Sequence, residues 1–124
     1  MIILDTCVLI AFADPANIFH ADAERILATT ERLAITALTG AELMVHPSPD
    51  QSRQWREMLR RLAIDVVPIT EDDMEAIAET RRESGLKMPD ALVLWLARTY
   101  EATVASFDQH LCDRAHQLGI TAVH

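Results

Sequence analysis

Cysteine, lysine and long apolar runs are all scarce in this sequence, and each scarcity closes off a class of protein. The 124 residues include two cysteines, Cys7 and Cys112, whose spacing suits neither a disulfide framework nor a zinc site. Both stand in apolar surroundings and read as buried thiols of a reducing cytosol. Lys87 is the one lysine, and lysine and arginine together number 11 against 19 acids, for a net charge of −8. Such a balance excludes a protein that grips nucleic acid by bulk electrostatics, because that grip depends on cations neutralising phosphates. A nucleic-acid role would need a local basic patch or a bound metal. The first apolar stretch is interrupted at Asp5 and no basic residue precedes Arg25, so neither a membrane span nor a secretory signal is expected, and the cytoplasm is the expected location. His20, His46, His110, His116 and His124 lack the i, i+4 pairing of a helical metal site. No internal repeat, linker or low-complexity segment divides the chain.

What is present is enough for one packed domain, residues 1–124, with half of its residues apolar. Ile2, Ile3 and Leu4 run into Asp5 and Thr6, as expected of a central strand of a parallel sheet whose two faces are both covered. Thr6 to Ala13 then reads as a short helix stopped by Asp14 and Pro15, and 18–30 as a second helix with Ala23, Ile26 and Leu27 inward. A strand is expected at 33–36, followed by a helix opened by a Thr39 to Glu42 capping box and ended before Pro47 and Pro49. Trp55, Met58, Leu59 and Leu62 fall on one helical face of 50–63, with Arg53, Arg56 and Arg60 together on the other. An edge strand containing Pro68 is expected at 65–69. Next come a helix capped by Thr70 and ended by Gly85, and an almost wholly apolar helix entered through Pro89 and Asp90. A strand at 103–106, a helix opened by Asp108 and a last strand at 120–123 complete the pattern. Alternation of this kind predicts a mainly parallel sheet in a three-layer α/β/α sandwich.

Helix starts lie at the same sheet edge as strand ends, so Asp5, Glu42, Asp90 and Asp108 are expected to converge on one rim. Singly, each has a plain explanation as a helix cap or a dipole partner. Together, four carboxylates repel and require protons or a cation. Oxygen donors alone favour a hard ion, Mg²⁺ or Mn²⁺, over zinc. Ions so held suit phosphodiester hydrolysis, where they activate water and stabilise developing charge.

The ordered series Ile3-Leu4-Asp5-Thr6, Glu42, Pro89-Asp90-Ala91 and Ser106-Phe107-Asp108 resembles the acidic motifs of PIN-domain ribonucleases. In size it is similar to the VapC-type toxins of toxin–antitoxin modules. The resemblance covers essentially the whole chain, and Ser106 stands where many members carry threonine. It implies a PIN-like sandwich and metal-dependent endonucleolytic cleavage of RNA, leaving 5′-phosphate and 3′-hydroxyl ends. Asp5, Asp90 and Asp108 would ligate the metal, Glu42 would complete the acidic cluster, and Thr6 and Ser106 would support these acids by hydrogen bonds. It further implies a homodimer and a cognate antitoxin whose tail enters the site.

Arg53, Arg56, Arg60 and Lys87 are candidates for contact with RNA phosphate, set against the plainer reading of solvated surface. Trp55, Trp95 and Met58 read as core or dimer contacts rather than as a base-stacking platform. Two other functional classes stay open. A Mg²⁺-binding receiver-like signalling domain would also place an acid at a strand end, although Asp5 is followed by Thr6 and the third strand ends without an acid. A catalytically silent α/β binding module would use its acids only as caps.

Overall fold

The structure, a computed structural model, describes residues 1–45 and 48–124; the readings of His46 and of Pro47 as a helix stop fall outside them. In chain order the elements begin with β1 (Ile2–Leu4), α1 (Thr6–Ala13), α2 (His20–Leu27), β2 (Leu33–Thr36), α3 (Ala37–Leu43), α4 (Pro49–Arg61) and β3 (Ile64–Val67). A 3₁₀ turn (Glu71–Asp73) leads into α5 (Met74–Ser84) and α6 (Met88–Thr99), followed by β4 (Thr103–Ala105), α7 (Gln109–Gln117) and β5 (Ala122–Val123). All pairings are parallel, and the strand order is β3-β2-β1-β4-β5.

That order creates the site. The chain moves outward from β1 through β2 to β3, then crosses back to the other side of β1 to lay down β4 and β5. Right-handed crossovers therefore put α1 to α4 on one face and α5 to α7 on the other. Strand alternation feeds both layers. Ile3, Ala34 and Val104 join Leu92, Leu94, Leu96 and Leu111 in one core, while Ile2, Leu4, Leu33, Ile35 and Ala105 join Leu9, Ile26 and Leu59 in the other. Each large aliphatic side chain so buried contributes about 1.5–3 kcal/mol. The three-layer sandwich expected from sequence is what forms, with every strand parallel. Where the strand order reverses, between β1 and β4, the connections leave toward opposite faces and open a crevice at the carboxyl ends.

Three local readings are corrected. Thr39 does not open α3: the cap is Thr36, whose side chain accepts a hydrogen bond from the Thr39 backbone N–H at 3.0 Å. Glu42, expected as the far member of that box, lies near the carboxyl end of α3. Pro68 falls just beyond β3, leaving that edge strand uninterrupted. The capping box that does form joins Thr70 and Asp73, and it closes the 3₁₀ turn before α5 begins at Met74. At the other end of α5, Gly85 takes a left-handed φ of 67°, the conformation that lets a helix stop and the chain turn into α6. Buried Leu86 pins this short link.

Candidate active site

Sheet register brings the first two site residues together. Leu4 pairs with Ala105, so the next residue on each strand, Asp5 and Ser106, also adjoin. The Asp5 backbone N–H donates to the Ala105 carbonyl at 3.0 Å, and the Ser106 hydroxyl donates to Asp5 Oδ2 at 2.7 Å. Ser106 is fully buried, and its oxygen also accepts from the Asp108 backbone N–H at 3.0 Å. One hydroxyl thus ties the end of β1 to the turn leading into α7.

Asp5 is also the N-cap of α1, accepting from the Thr6 N–H at 2.8 Å through Oδ1. Thr6 in turn donates its hydroxyl to Glu42 Oε1 at 3.3 Å, drawing α3 toward α1. Asp108 caps α7, its Oδ1 accepting from the backbone N–H groups of His110 at 2.9 Å and Leu111 at 3.2 Å. The capping readings are therefore true of Asp5 and Asp108. Asp90, read as a dipole partner, does sit in the first turn of α6, where a negative charge is favoured, and its carboxylate accepts no hydrogen bond among the described residues.

All four acids line one open cavity of about 510 Å³ at the sheet crevice. Burial pushes the Asp90 carboxyl above its usual range, and the negative charges of Asp5, Asp108 and Glu42 push it further in the same direction, against a smaller opposing effect of His110. Among the described residues, no three acidic, histidine or cysteine side chains close on a single point as a ready-made ion cage. The acids surround a space instead. Their chemistry nevertheless fits a hard divalent cation: the donors are all oxygens, and the strain to be relieved is mutual repulsion of carboxylates.

Sequence reasoning missed Cys7, Ile10, Asn17, Phe19 and Phe107, which line the same cavity. Cys7 is not the buried thiol expected. It is half-buried, donates to Asp5 Oδ2 at 3.3 Å, and accepts from the Phe107 backbone N–H at 3.4 Å. Desolvation, followed by the charge of Asp5, raises its pKa to about 11, so it stays a neutral thiol. Cys112, by contrast, is buried as expected. Phe107 lies between Ser106 and Asp108, both singled out from the sequence, so its position alone is a signal. Phe19 falls within the helix expected at 18–30, but α2 begins only at His20 and leaves Phe19 as its N-cap, at the end of the α1–α2 loop.

The arginine stripe lies elsewhere. Arg53 is ion-paired with Asp50 and Arg60 with Glu57 along α4, and none of Arg53, Arg56, Arg60 or Lys87 lines the acidic cavity. A larger cleft of about 810 Å³ runs along α4 beside Phe12, with Arg53 and Arg61 on its walls. Its walls also carry Asp50 and Glu57, so acids and arginines offset one another there, and chemistry favours the smaller cavity, where four acids meet with no basic partner among the described residues. Trp95 is core, 5% exposed, and offers nothing to a dimer; Trp55 and Met58 are half-buried on α4. A receiver-like arrangement is not formed, since β3 is an edge strand ending at Val67, separated from β1 by β2.

A parallel α/β/α sandwich with a carboxylate-lined crevice at its switch point defines the class. More particularly, the chain belongs to the PIN domain family, whose sequence profile matches residues 2–117. No curated protein matches the sequence. Among solved structures, similarity is to FitAcB of Neisseria gonorrhoeae (19% identity, TM-score 0.73, covering 100% of this chain and 97% of that one). A toxin–antitoxin complex from Klebsiella pneumoniae is also similar (23%, 0.76, 100% and 97%). So is Mycobacterium tuberculosis VapC20, described as a sarcin-ricin loop cleaving toxin (16%, 0.74, 100% and 99%).

Proposed function

We propose that this protein is a Mg²⁺-dependent endoribonuclease, with Mn²⁺ able to substitute, acting as the toxin of a toxin–antitoxin module. Residues 1–124 would form one catalytic domain. The observation that carries the reading is the convergence of Asp5, Glu42, Asp90 and Asp108 on one cavity, with the Asp90 carboxyl held above its usual range by burial and by the other three. Family membership supports it, as do the toxins and toxin–antitoxin complexes among the proteins of similar fold.

Asp5, Asp90 and Asp108 would hold the ion, with Glu42 completing the negative cluster. A bound divalent ion supplies activation of water and stabilisation of charge on the phosphoryl and leaving oxygens. The protein's own residues position the acids. Ser106 and Cys7 fix Oδ2 of Asp5, the Thr6 backbone fixes Oδ1, and the Thr6 hydroxyl orients Glu42. Capping of α7 uses Oδ1 of Asp108, leaving Oδ2 with no hydrogen bond among the described residues; in this reading Oδ2 would be the ligating oxygen. Such outer hydrogen bonds set ligand orientation in metal sites generally.

The partners in this reading are RNA as substrate, a cognate antitoxin, and a second copy of the chain. Among the described residues no helix is long and apolar enough to cross a membrane. Sequencing RNA ends after controlled expression, in parallel with Asp5→Asn, tests the function. New 5′-phosphate ends that vanish in the variant support it; their absence from the wild type, or persistence in the variant, overturns it. Sedimentation at micromolar concentration tests the dimer, which a monomer alone or with the partner would contradict.

A further inference from the structure

The cavity that holds the four acids is lined by no lysine, arginine or histidine among the described residues. Away from a bound ion it repels phosphate, so whatever holds an RNA strand beside the scissile bond must act on something other than backbone charge. Two aromatic rings stand on the same wall. Phe19 and Phe107 lie nearly parallel, with an interplanar angle of 9° and ring centroids 4.6 Å apart. Phe107 covers one face of Phe19, yet Phe19 remains 38% exposed and lines the acid cavity, so surface not covered by Phe107 stays open to solvent.

Both rings are held in place. The Phe107 backbone is fixed by its N–H bond to Cys7, and its neighbours in sequence are Ser106 and Asp108, so this ring is registered directly to the acids. Phe19 follows a loop locked by short-range bonds: Ala16 N–H to Asp14 Oδ1 at 3.0 Å, Asn17 N–H to the Asp14 carbonyl at 3.0 Å, and Phe19 N–H to Asn17 Oδ1 at 2.8 Å. A preorganised ring loses little freedom when a second flat ring settles on it.

The geometry points to a nucleobase-stacking wall: the exposed ring of Phe19, backed by Phe107, takes the base of a nucleotide adjoining the scissile phosphate of single-stranded RNA. The inference rests on the ribonuclease reading above and adds how its substrate is held. Stacking is the charge-neutral means of gripping a strand, and it tolerates any base because each has a π-face. It thus supplies affinity where an acidic surface cannot.

The test uses short single-stranded RNA carrying 2-aminopurine, whose fluorescence is quenched on stacking, with Asp90→Asn as background to prevent cleavage. Quenching is expected with Phe19 and with Phe19→Tyr, and is expected to disappear in Phe19→Leu, which keeps apolar bulk without a ring. In the otherwise unaltered enzyme, Phe19→Leu should raise KM about tenfold, in line with the usual value of one base–aromatic stack, while kcat is largely kept. An abasic site at the stacked position should raise KM similarly and make Phe19→Leu silent. Unchanged quenching and KM in Phe19→Leu would overturn the wall. Equal loss in Phe19→Tyr would also overturn it, by showing that packing alone matters. If Phe19→Leu spares RNA but weakens a purified protein inhibitor, the wall serves that partner and the inference fails. Quenching that depends on Phe19 without any RNA cleavage by the wild type would instead sink the ribonuclease reading alone.

Discussion

Ser106→Ala removes one oxygen atom and unties two site residues at once. The lost hydroxyl donates to the Asp5 carboxylate at 2.7 Å and accepts from the Asp108 N–H at 3.0 Å, in a position with no solvent exposure. A hydrogen bond to a charged group contributes about 1.5–3 kcal/mol, and a buried N–H left without a partner costs about 1–3 kcal/mol. Asp5 is only half-buried and keeps the Cys7 thiol and the Thr6 N–H, and Asp108 is itself an exposed residue whose N–H is only partly buried, so the low end of both ranges applies. The expected loss is about 2.5 kcal/mol, which for a chain of this length lowers Tm by about 10 °C. Urea unfolding should give the same loss with an unchanged slope. Because the Asp5 carboxylate is then free to rotate, Mn²⁺ affinity measured by calorimetry should fall at least about tenfold, as when other outer partners of metal ligands are removed. Ser106→Thr, which retains the hydroxyl, should recover most of that affinity even if its extra methyl costs stability in a closed position. A Ser106→Ala protein within 0.5 kcal/mol of wild type by the same assay, and with unaltered Mn²⁺ affinity, would refute the view that this hydroxyl holds the site together.

Asp90→Asn should abolish cleavage yet leave the metal-free protein at least as stable, because it removes a charge that the fold disfavours. A carboxyl raised above its ordinary 3.8 is destabilising above its folded pKa, and that penalty is relieved as pH falls toward 3.8. Wild type should therefore gain on the variant during acidification through that window; parallel urea midpoints across pH would expose the opposite trend. Ala63 holds a left-handed φ of 53° just after α4; Ala63→Gly should stabilise by about 0.5–1 kcal/mol, and a lower urea midpoint would contradict this. The natural inhibitor should insert an arginine among Asp5, Glu42, Asp90 and Asp108, pairing with carboxylates in the metal's place. Its measured affinity should then fall as Mn²⁺ rises at constant ionic strength, and indifference to both metal and Asp90→Asn would place inhibition elsewhere.

How far the sequence could be read depended on how local the determining physics was. The bounds of α1 and β2 follow directly from apolar runs and their stops, and the burial of α6 from a helix apolar on all sides. At α3 the full capping-box pattern belongs to Thr39, with Glu42 three residues on, whereas Thr36 has Thr39 at that place; only the backbone turn at Thr36 shows that the helix starts there. Pro68 was drawn into β3 because the apolar run continues through Ile69, whereas pairing with β2 ends at Val67. The four acids were legible because strand ends and helix starts share an edge, although Glu42 arrives from the far end of a helix too short to carry it away. Cys7 was hidden by its apolar neighbours: two positions after Asp5, in the first helical turn, it faces the crevice while Val8 and Leu9 face the core.

That Asp5 and Asp108 each begin a helix bears on how an inactive control should be made. Asparagine preserves the oxygen that holds the helix start, whereas alanine deletes cap and charge together, and a lost cap alone costs about 0.5–2 kcal/mol. An Asp108→Ala protein that fails to cut RNA could therefore be inactive because the first turn of α7 has frayed, taking Phe107 with it, rather than because a ligand is missing. Asp108→Asn keeps the bonds to His110 and Leu111 within reach. Only with the amide does silence in a growth assay report on chemistry and not on the amount of folded protein in the cell.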